Sequence, residues 1–296
     1  MFQSMYDAVT MIQCPLCGHS TTKEILRCPD HLVTREYFTI VECGHCTFRF
    51  TSDAPMAENI GKYYASEAYT SLSGKRPTLR AWVRTQRQKL AARYVMRHAK
   101  LRRGAILDIG CATGDFLDVM KERGWNVSGI EPDEESRTRL IARHIPTLPP
   151  NEISTIPDAS VDVMTLWHVL EHVHGLQEFG RQLRRIVKPN GVIIIAVPNA
   201  EALDARMYAS HWHAYELPRH LYHFSRRTLA QFAEQSGLRI EKLGTMPLDS
   251  VYCCLQSETY MQGNSFRGLL RAMLTIVSSV IYPKTSTTIL AVLQKR

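Results

Sequence analysis

Ala105 to Leu117, AILDIGCATGDFL, constrains this chain more than any other stretch. The apolar run Ala105 to Ile109 reads as a buried parallel strand. It breaks into Gly110-Cys111-Ala112-Thr113-Gly114, and Asp115-Phe116-Leu117 then opens a helical pattern with Asp115 placed as the N-cap. A strand, a tight small-residue turn and a helix N-terminus form a ligand cradle. Glycine lets the backbone approach a ligand closely, and the first amides of the helix face it. Only α/β folds with a parallel sheet are built this way.

A second apolar run, Asn126 to Ile130, ends in Glu131-Pro132-Asp133. Glu131 stands 21 residues after Gly110, where a nucleoside-binding α/β domain holds ribose hydroxyls on a carboxylate. The alternative role for Glu131 is to cap the helix that starts near Pro132. Dinucleotides and S-adenosylmethionine both fit such a cradle. A dinucleotide site needs G-x-G-x-x-G for its pyrophosphate, whereas this turn has an acid, Asp108, two residues before Gly110. An acid there suits a cationic ligand better. The stretch LDIGCATGDFL with GIEPD resembles the class I S-adenosylmethionine-dependent methyltransferases, whose first motif runs D-x-G-x-G-x-G. Ala112 stands where that family usually has its middle glycine. The resemblance implies a Rossmann-like seven-stranded α/β sheet with an antiparallel last strand. It also implies a cofactor held by Asp108, Gly110, Cys111, Gly114, Glu131, Pro132 and Trp167.

Residues 14 to 46 hold a second constellation. Cys14-Pro15-Leu16-Cys17 and Cys43-Gly44-His45-Cys46 are two C-x-x-C pairs separated by 25 residues. Each such turn brings two thiolates to one tetrahedral ion, and two turns close its shell. The segments 37–42 and 47–50 read as strands entering and leaving the second turn. The pattern looks like a zinc ribbon with Cys14, Cys17, Cys43 and Cys46 as ligands of a structural zinc. A redox pair and a disulfide pair are the competing readings. The chain divides on this basis into a ribbon-like module (1–52), a linker with a basic helix (53–104) and a methyltransferase domain (105–296).

The net charge of +8 is unevenly placed. Residues 1–104 carry 16 basic and 8 acidic side chains, and 105–296 carry 20 of each. Lys75 to Arg103 alone holds 11 basic and no acidic residues. This tract reads either as a solvated helix face or as an attractor of an anionic partner. The opening MFQSMYDAVTMIQ lacks a basic region followed by a long apolar run, and no stretch reaches the ~18 apolar residues that span a bilayer. Eight cysteines in 296 residues do not suggest a secreted disulfide scaffold, so a cytoplasmic protein is expected.

Downstream, Asp133 to His144 reads as a helix, Ile145 to Pro157 as an irregular stretch with a short strand, and Val161 to Leu166 as the fourth strand. Asn151 to Ile156 is placed over the adenine. Trp167-His168-Val169-Leu170-Glu171-His172-Val173 resembles the segment after the fourth strand in enzymes related to the ubiquinone- and menaquinone-biosynthesis methyltransferases. On a helical turn His168, Glu171 and His172 share a face, and with His220 or His223 that spacing has the donors for a divalent metal. The favoured reading has no metal there, with Glu171 orienting a histidine or capping backbone. Val192 to Val197 is the fifth strand, Leu238 to Leu243 the sixth and Thr287 to Gln294 the seventh. Met207 to Ser225, MYASHWHAYELPRHLYHFS, reads as a lid and acceptor pocket; the alternative is a secondary aromatic core. Residues 248–286 form an insertion with one apolar helix, Arg267 to Tyr282, packed on the core, in a homodimer contact or on a membrane surface.

The resemblance implies methyl transfer to an oxygen or carbon of a small-molecule acceptor, an anionic one being compatible with the basic tract. His168 is the first choice of base, followed by His220 and His223. The second reading is an enzyme modifying RNA or protein, with the ribbon and basic helix gripping the macromolecule. The missing N/D-P-P-Y/F motif ranks nucleic acid below a small acceptor. The third is a non-catalytic ribbon scaffold.

Overall fold

The computed structural model describes residues 12–64 and 79–296, with side chains from residue 86 onward in the first helix. Residues 1–11 of the opening, and the 65–78 portion of the linker and basic tract, lie outside the described residues. Seven strands form the central sheet: β4 (Ala105–Ile109), β5 (Asn126–Ile130), β6 (Thr147–Leu148), β7 (Val161–Trp167), β8 (Val187–Pro198), β10 (Leu238–Thr245) and β11 (Thr288–Lys295). Their order is β10-β11-β8-β7-β4-β5-β6. The pairs from β8 to β6 are parallel, and β11 runs antiparallel to both its neighbours. This is the expected α/β sheet.

Alternation along the strands sends residues to two cores, one on each face. Ile106, Val163, Val192, Ile194 and Val292 pack with α1 (Leu79–Ala99) and α2 (Asp115–Glu122). Leu140 of α3 (Glu134–Ala142) joins that face. Leu107, Ile109, Met164, Ile193, Ile195 and Leu293 pack on the other face with α4 (Leu176–Ile186) and α6 (Arg226–Gln235). The expected N-cap at Asp115 is corrected: Gly114 takes the cap position in the left-handed region (φ 73°), and Asp115 is the first helical residue.

The cysteine-bearing segment forms an antiparallel sheet, β1 (Thr22–Pro29), β2 (Tyr37–Cys43) and β3 (Arg49–Thr51). Its fourth strand comes from far along the chain: β9 (Tyr222–His223) pairs with β3. Phe48 and Phe50 continue the second face's core, stacking toward Tyr222 and Phe224. The aromatic tract 207–225 is the seam. Tyr208 at the end of α5 (Leu203–Tyr208), Trp212, Tyr215 and Leu217 are buried with Cys28, Phe38, Ile40 and Tyr63 in a third cluster. The aromatics thus fill a core between the two sheets and do not form an open lid.

The insertion holds two helices, α7 (Asp249–Tyr260) and α8 (Ser265–Ile281), where one was expected. Helix α8 turns only small residues inward, Gly268, Ala272, Thr275 and Ser279. Phe266, Met273, Val277 and Val280 stand exposed, so the helix does not bury its apolar side on the core.

One buried cation holds the seam. The Arg219 side chain has 0% exposure and meets Asp30 at 3.0 Å and Glu216 at 3.2 Å. It also donates to the Tyr63 carbonyl at 2.7 Å. Removing one partner of such a pair leaves an uncompensated buried charge, which costs about 3–5 kcal/mol. Arg219→Met is expected to destabilise the fold by that amount in denaturant unfolding. Asp30→Asn added to Arg219→Met should cost less than the sum of the two single changes, because both remove the same pair.

Candidate functional site

The crevice lies at the carboxyl ends of β4 and β7, where the strand order reverses. Asp108 near the end of β4 is buried, and its Oδ1 accepts from the Thr165 hydroxyl of β7 at 2.6 Å. Gly110 sits at φ 71°, and a Cβ there would stand 2.5 Å from Val169 Cγ2. Both constraints demand glycine. Ala112 also adopts a left-handed φ, 46°. That turn points its amide at Glu131, whose Oε2 accepts at 2.7 Å while Oε1 accepts from the Asp133 amide at 3.0 Å. Glu131 therefore joins the glycine turn to the next helix as well as facing the crevice. Cys111 is buried beneath the turn, Pro132 is exposed at its rim, and Trp167 packs edge-on to Phe116 with its indole nitrogen unpartnered.

Burial pushes the Asp108 carboxyl up to about 7; Thr165 pulls it down and the charge of Glu131 pushes it further up. Glu131 is raised too, again first by burial. Two acids that resist ionising side by side favour a ligand bringing positive charge and hydroxyl donors.

The other end of the crevice is a histidine cluster. His168 follows β7 with φ 57°. Its Nδ1 lies 3.5 Å from Glu171 and its Nε2 3.5 Å from Asp249 of α7. Burial opposes its charge, but Asp249 and Glu171 outweigh burial and lift it to about 10. The expectation that His168 is the base is corrected: clamped between two carboxylates, it is protonated at neutral pH. Glu171 and His172 lie on the 3-10 turn Leu170–His172, and the His172 and His220 rings meet edge to face at 4.5 Å. His220 Nδ1 donates to the Ala214 carbonyl at 2.8 Å. Burial and then the neighbouring His172 lower His220 to about 4, so it is neutral with a lone pair on Nε2. His223 is corrected too. The Thr51 hydroxyl donates to the His220 carbonyl (2.8 Å), so at 3.2 Å it accepts from His223 Nε2. That bond ties His223 to β3, in the seam. Asp249, Glu216 and Tyr64 were missed; each reaches the cluster from a distant segment that carries no local motif.

Cys14, Cys17, Cys43 and Cys46 converge, their sulfurs all within 4.8 Å of one another. Cys14 to Cys46 and Cys17 to Cys43 are each 3.6 Å. A disulfide needs about 2.05 Å. Four thiolates at ~2.3 Å around one ion stand about 3.8 Å apart, which these distances approach. Burial pushes the Cys14 thiol up to about 11. Cys28 lies in the seam core and not in this set.

A family model described as a methyltransferase domain matches residues 83–243, more than half of the chain. The chain belongs to the S-adenosylmethionine-dependent methyltransferases. A Mycolicibacterium smegmatis protein named as a probable S-adenosylmethionine-dependent methyltransferase is 29% identical over 32% of this chain and 38% of its own length. A ubiquinone biosynthesis O-methyltransferase of Chromobacterium violaceum is 24% identical over 54% of this chain and 76% of its own. The chain spans about two-fifths to one half of the mycobacterial relatives it matches. In fold, the methyltransferase chain resembles Burkholderia thailandensis 1,6-didemethyltoxoflavin-N1-methyltransferase, solved with 1,6-didemethyltoxoflavin and S-adenosylhomocysteine. The TM-score is 0.51 at 15% identity, covering 86% of this chain and 98% of that one.

In this methyltransferase a left-handed alanine costs of order 1–3 kcal/mol. Ala112→Gly relieves that cost and loses part of it to the freer unfolded chain. A gain of about 1 kcal/mol is expected in denaturant unfolding. The Asp108 carboxyl makes its own prediction. Its pKa is raised from 3.8 to about 7 on folding, so the folded form binds more protons and stability falls as pH rises between those values. Asp108→Asn should flatten that slope in melting curves taken across the window.

Proposed function

We propose that this protein transfers the methyl group of S-adenosylmethionine to an oxygen or carbon of a small-molecule acceptor. The pair of buried acids at the glycine turn, Asp108 and Glu131, is the observation that carries the reading. Their raised pKa values are relieved by a ligand with a cationic amino-acid end and a ribose diol. Gly110, Cys111 and Gly114 let the backbone approach it, and Pro132 and Trp167 flank it. The cofactor supplies an electrophilic methyl. The chain aligns donor and acceptor, and in-line positioning can supply up to ~7–11 kcal/mol of barrier reduction.

The acceptor is assigned to the end of the crevice beyond Trp167. There His220 is neutral and Glu171 is the carboxylate with both oxygens unpartnered, so these two are the proton-accepting groups. Protonated His168 orients them. The division into a ribbon-like module, linker helix and methyltransferase domain is part of the proposal, with a structural zinc on Cys14, Cys17, Cys43 and Cys46. Arg87 of the basic helix reaches Asp249 at 2.7 Å, which supports a role for that helix in covering the crevice.

Calorimetric titration with S-adenosylhomocysteine tests the cofactor assignment. Binding is expected in the wild type and a loss of tenfold or more (about 1.4 kcal/mol) in Glu131→Ala. Because Asp108 ionises near pH 7, affinity should rise from pH 6 to pH 8, and Asp108→Asn should abolish that rise. No binding by a folded protein would sink the reading. Elemental analysis tests the zinc: one ion per chain is expected in the wild type and none in Cys43→Ser. The Cys43→Ser melting temperature should fall by roughly 5–10 °C, the response of a domain this size to about 2–3 kcal/mol.

A further inference from the structure

Glu171 is the most exposed contradiction in the molecule. Its side chain has 0% exposure, yet neither Oε1 nor Oε2 has a hydrogen-bond partner. Its one ion-pair contact is His168, at 3.5 Å. Burial works against its charge, and the surrounding histidines keep its pKa below the ordinary value all the same. Unpartnered buried carboxylates are costly, and native folds satisfy them with donors, water or a cation.

The two neighbouring imidazoles share one arrangement. His172 Nδ1 faces the Arg219 carbonyl at 3.0 Å, and His220 Nδ1 faces the Ala214 carbonyl at 2.8 Å. A carbonyl only accepts, so each Nδ1 carries the proton and each Nε2 carries a lone pair. Histidines that ligate metals are held in this way, with the second nitrogen donating to a carbonyl or carboxylate that fixes ring and tautomer. One ligand atom from each of Glu171, His172 and His220 lies within 4.8 Å of the other two. Donors bonded at about 2.1 Å to one ion stand roughly 3–4 Å apart, so small side-chain adjustments close the set. The Tyr64 hydroxyl, 3.1 Å from His172 Nδ1, braces the ring from outside.

We infer that Glu171, His172 and His220 form a divalent transition-metal site, separate from the four-cysteine cluster. Two imidazoles and one carboxylate suit Zn2+, Co2+, Fe2+ or Mn2+ better than Mg2+ or Ca2+, which prefer all-oxygen sets. Three protein ligands leave coordination positions open, the pattern of sites that take water or a substrate oxygen. His172 is only half-buried and gives the ion an approach. The donors hold a metal when it is present and serve proton transfer when it is not. The inference uses no part of the cofactor assignment.

The test uses full-length protein with its thiolate site already zinc-loaded, titrated with Co2+ alone. One further equivalent per chain is expected, with the weak visible bands of nitrogen and oxygen ligands and no thiolate charge-transfer band in the near ultraviolet. Glu171→Gln and His220→Asn should each weaken that binding by on the order of 10–100-fold. If Glu171→Gln does not fold, His172→Asn, at a part-exposed position, carries the same decision. No Co2+ beyond the thiolate site in the wild type, or undiminished binding in the folded variants, would overturn the site and leave Glu171 to a buried water. S-adenosylhomocysteine titration of the same samples keeps the readings apart: its failure removes the methyl-transfer proposal and leaves the metal result standing.

Discussion

A single arginine without access to water sets the geometry on which the candidate site depends. Arg219 joins Asp30 of the cysteine-bearing sheet, Glu216 of its own loop and the Tyr63 carbonyl. Those charges could not be left unpaired in an apolar seam, so the three segments have one way to meet. The neighbouring backbone is fixed as a result. The Arg219 carbonyl takes the His172 proton, the Leu221 amide bonds the Glu171 carbonyl at 2.7 Å, and His220 is carried between them. Orientation of the histidine cluster is therefore inherited from a structural ion pair.

The crevice is electrostatically divided along its length. At the glycine turn two carboxyls are raised by burial, and each opposes the other's ionisation. At the far end buried carboxylates are lowered: Glu216 falls to about 2, because histidines and Arg219 outweigh its burial. The same side-chain chemistry moves in opposite directions because one end has no cations of its own and the other has several. The first end calls for a cationic ligand, and the second is already built around charge.

What the sequence disclosed was what lies close along the chain. Asp108, Gly110 and Gly114 occupy one turn, and Glu131 ends the adjacent strand, so the pattern of apolar runs and breaks sufficed. Two C-x-x-C turns disclosed the cysteine cluster for the same reason. The histidine cluster was legible only in its local part, the His168-Glu171-His172 turn. Asp249 reaches His168 from an insertion whose sequence says nothing of a site, and β9 is two residues long, too short for any periodicity. The tract 207–225 misled as a lid because a seam core and a ligand pocket use the same aromatic residues. Only burial distinguishes them.

The seam also joins the cysteine cluster to the chemistry. Strand β3 leaves the Cys43–Cys46 turn, pairs with β9, and places Thr51 where its hydroxyl holds the His220 carbonyl and accepts from His223. An ion on the four cysteines would fix the turn from which β3 departs, and β3 in turn fixes the backbone of His220. A boundary drawn in sequence between residues 52 and 105 is thus crossed by a strand pairing, a buried ion pair and an aromatic core. Loosening the cysteine turn should therefore be felt at His220 before it is felt at the glycine turn, which is built wholly from the central sheet.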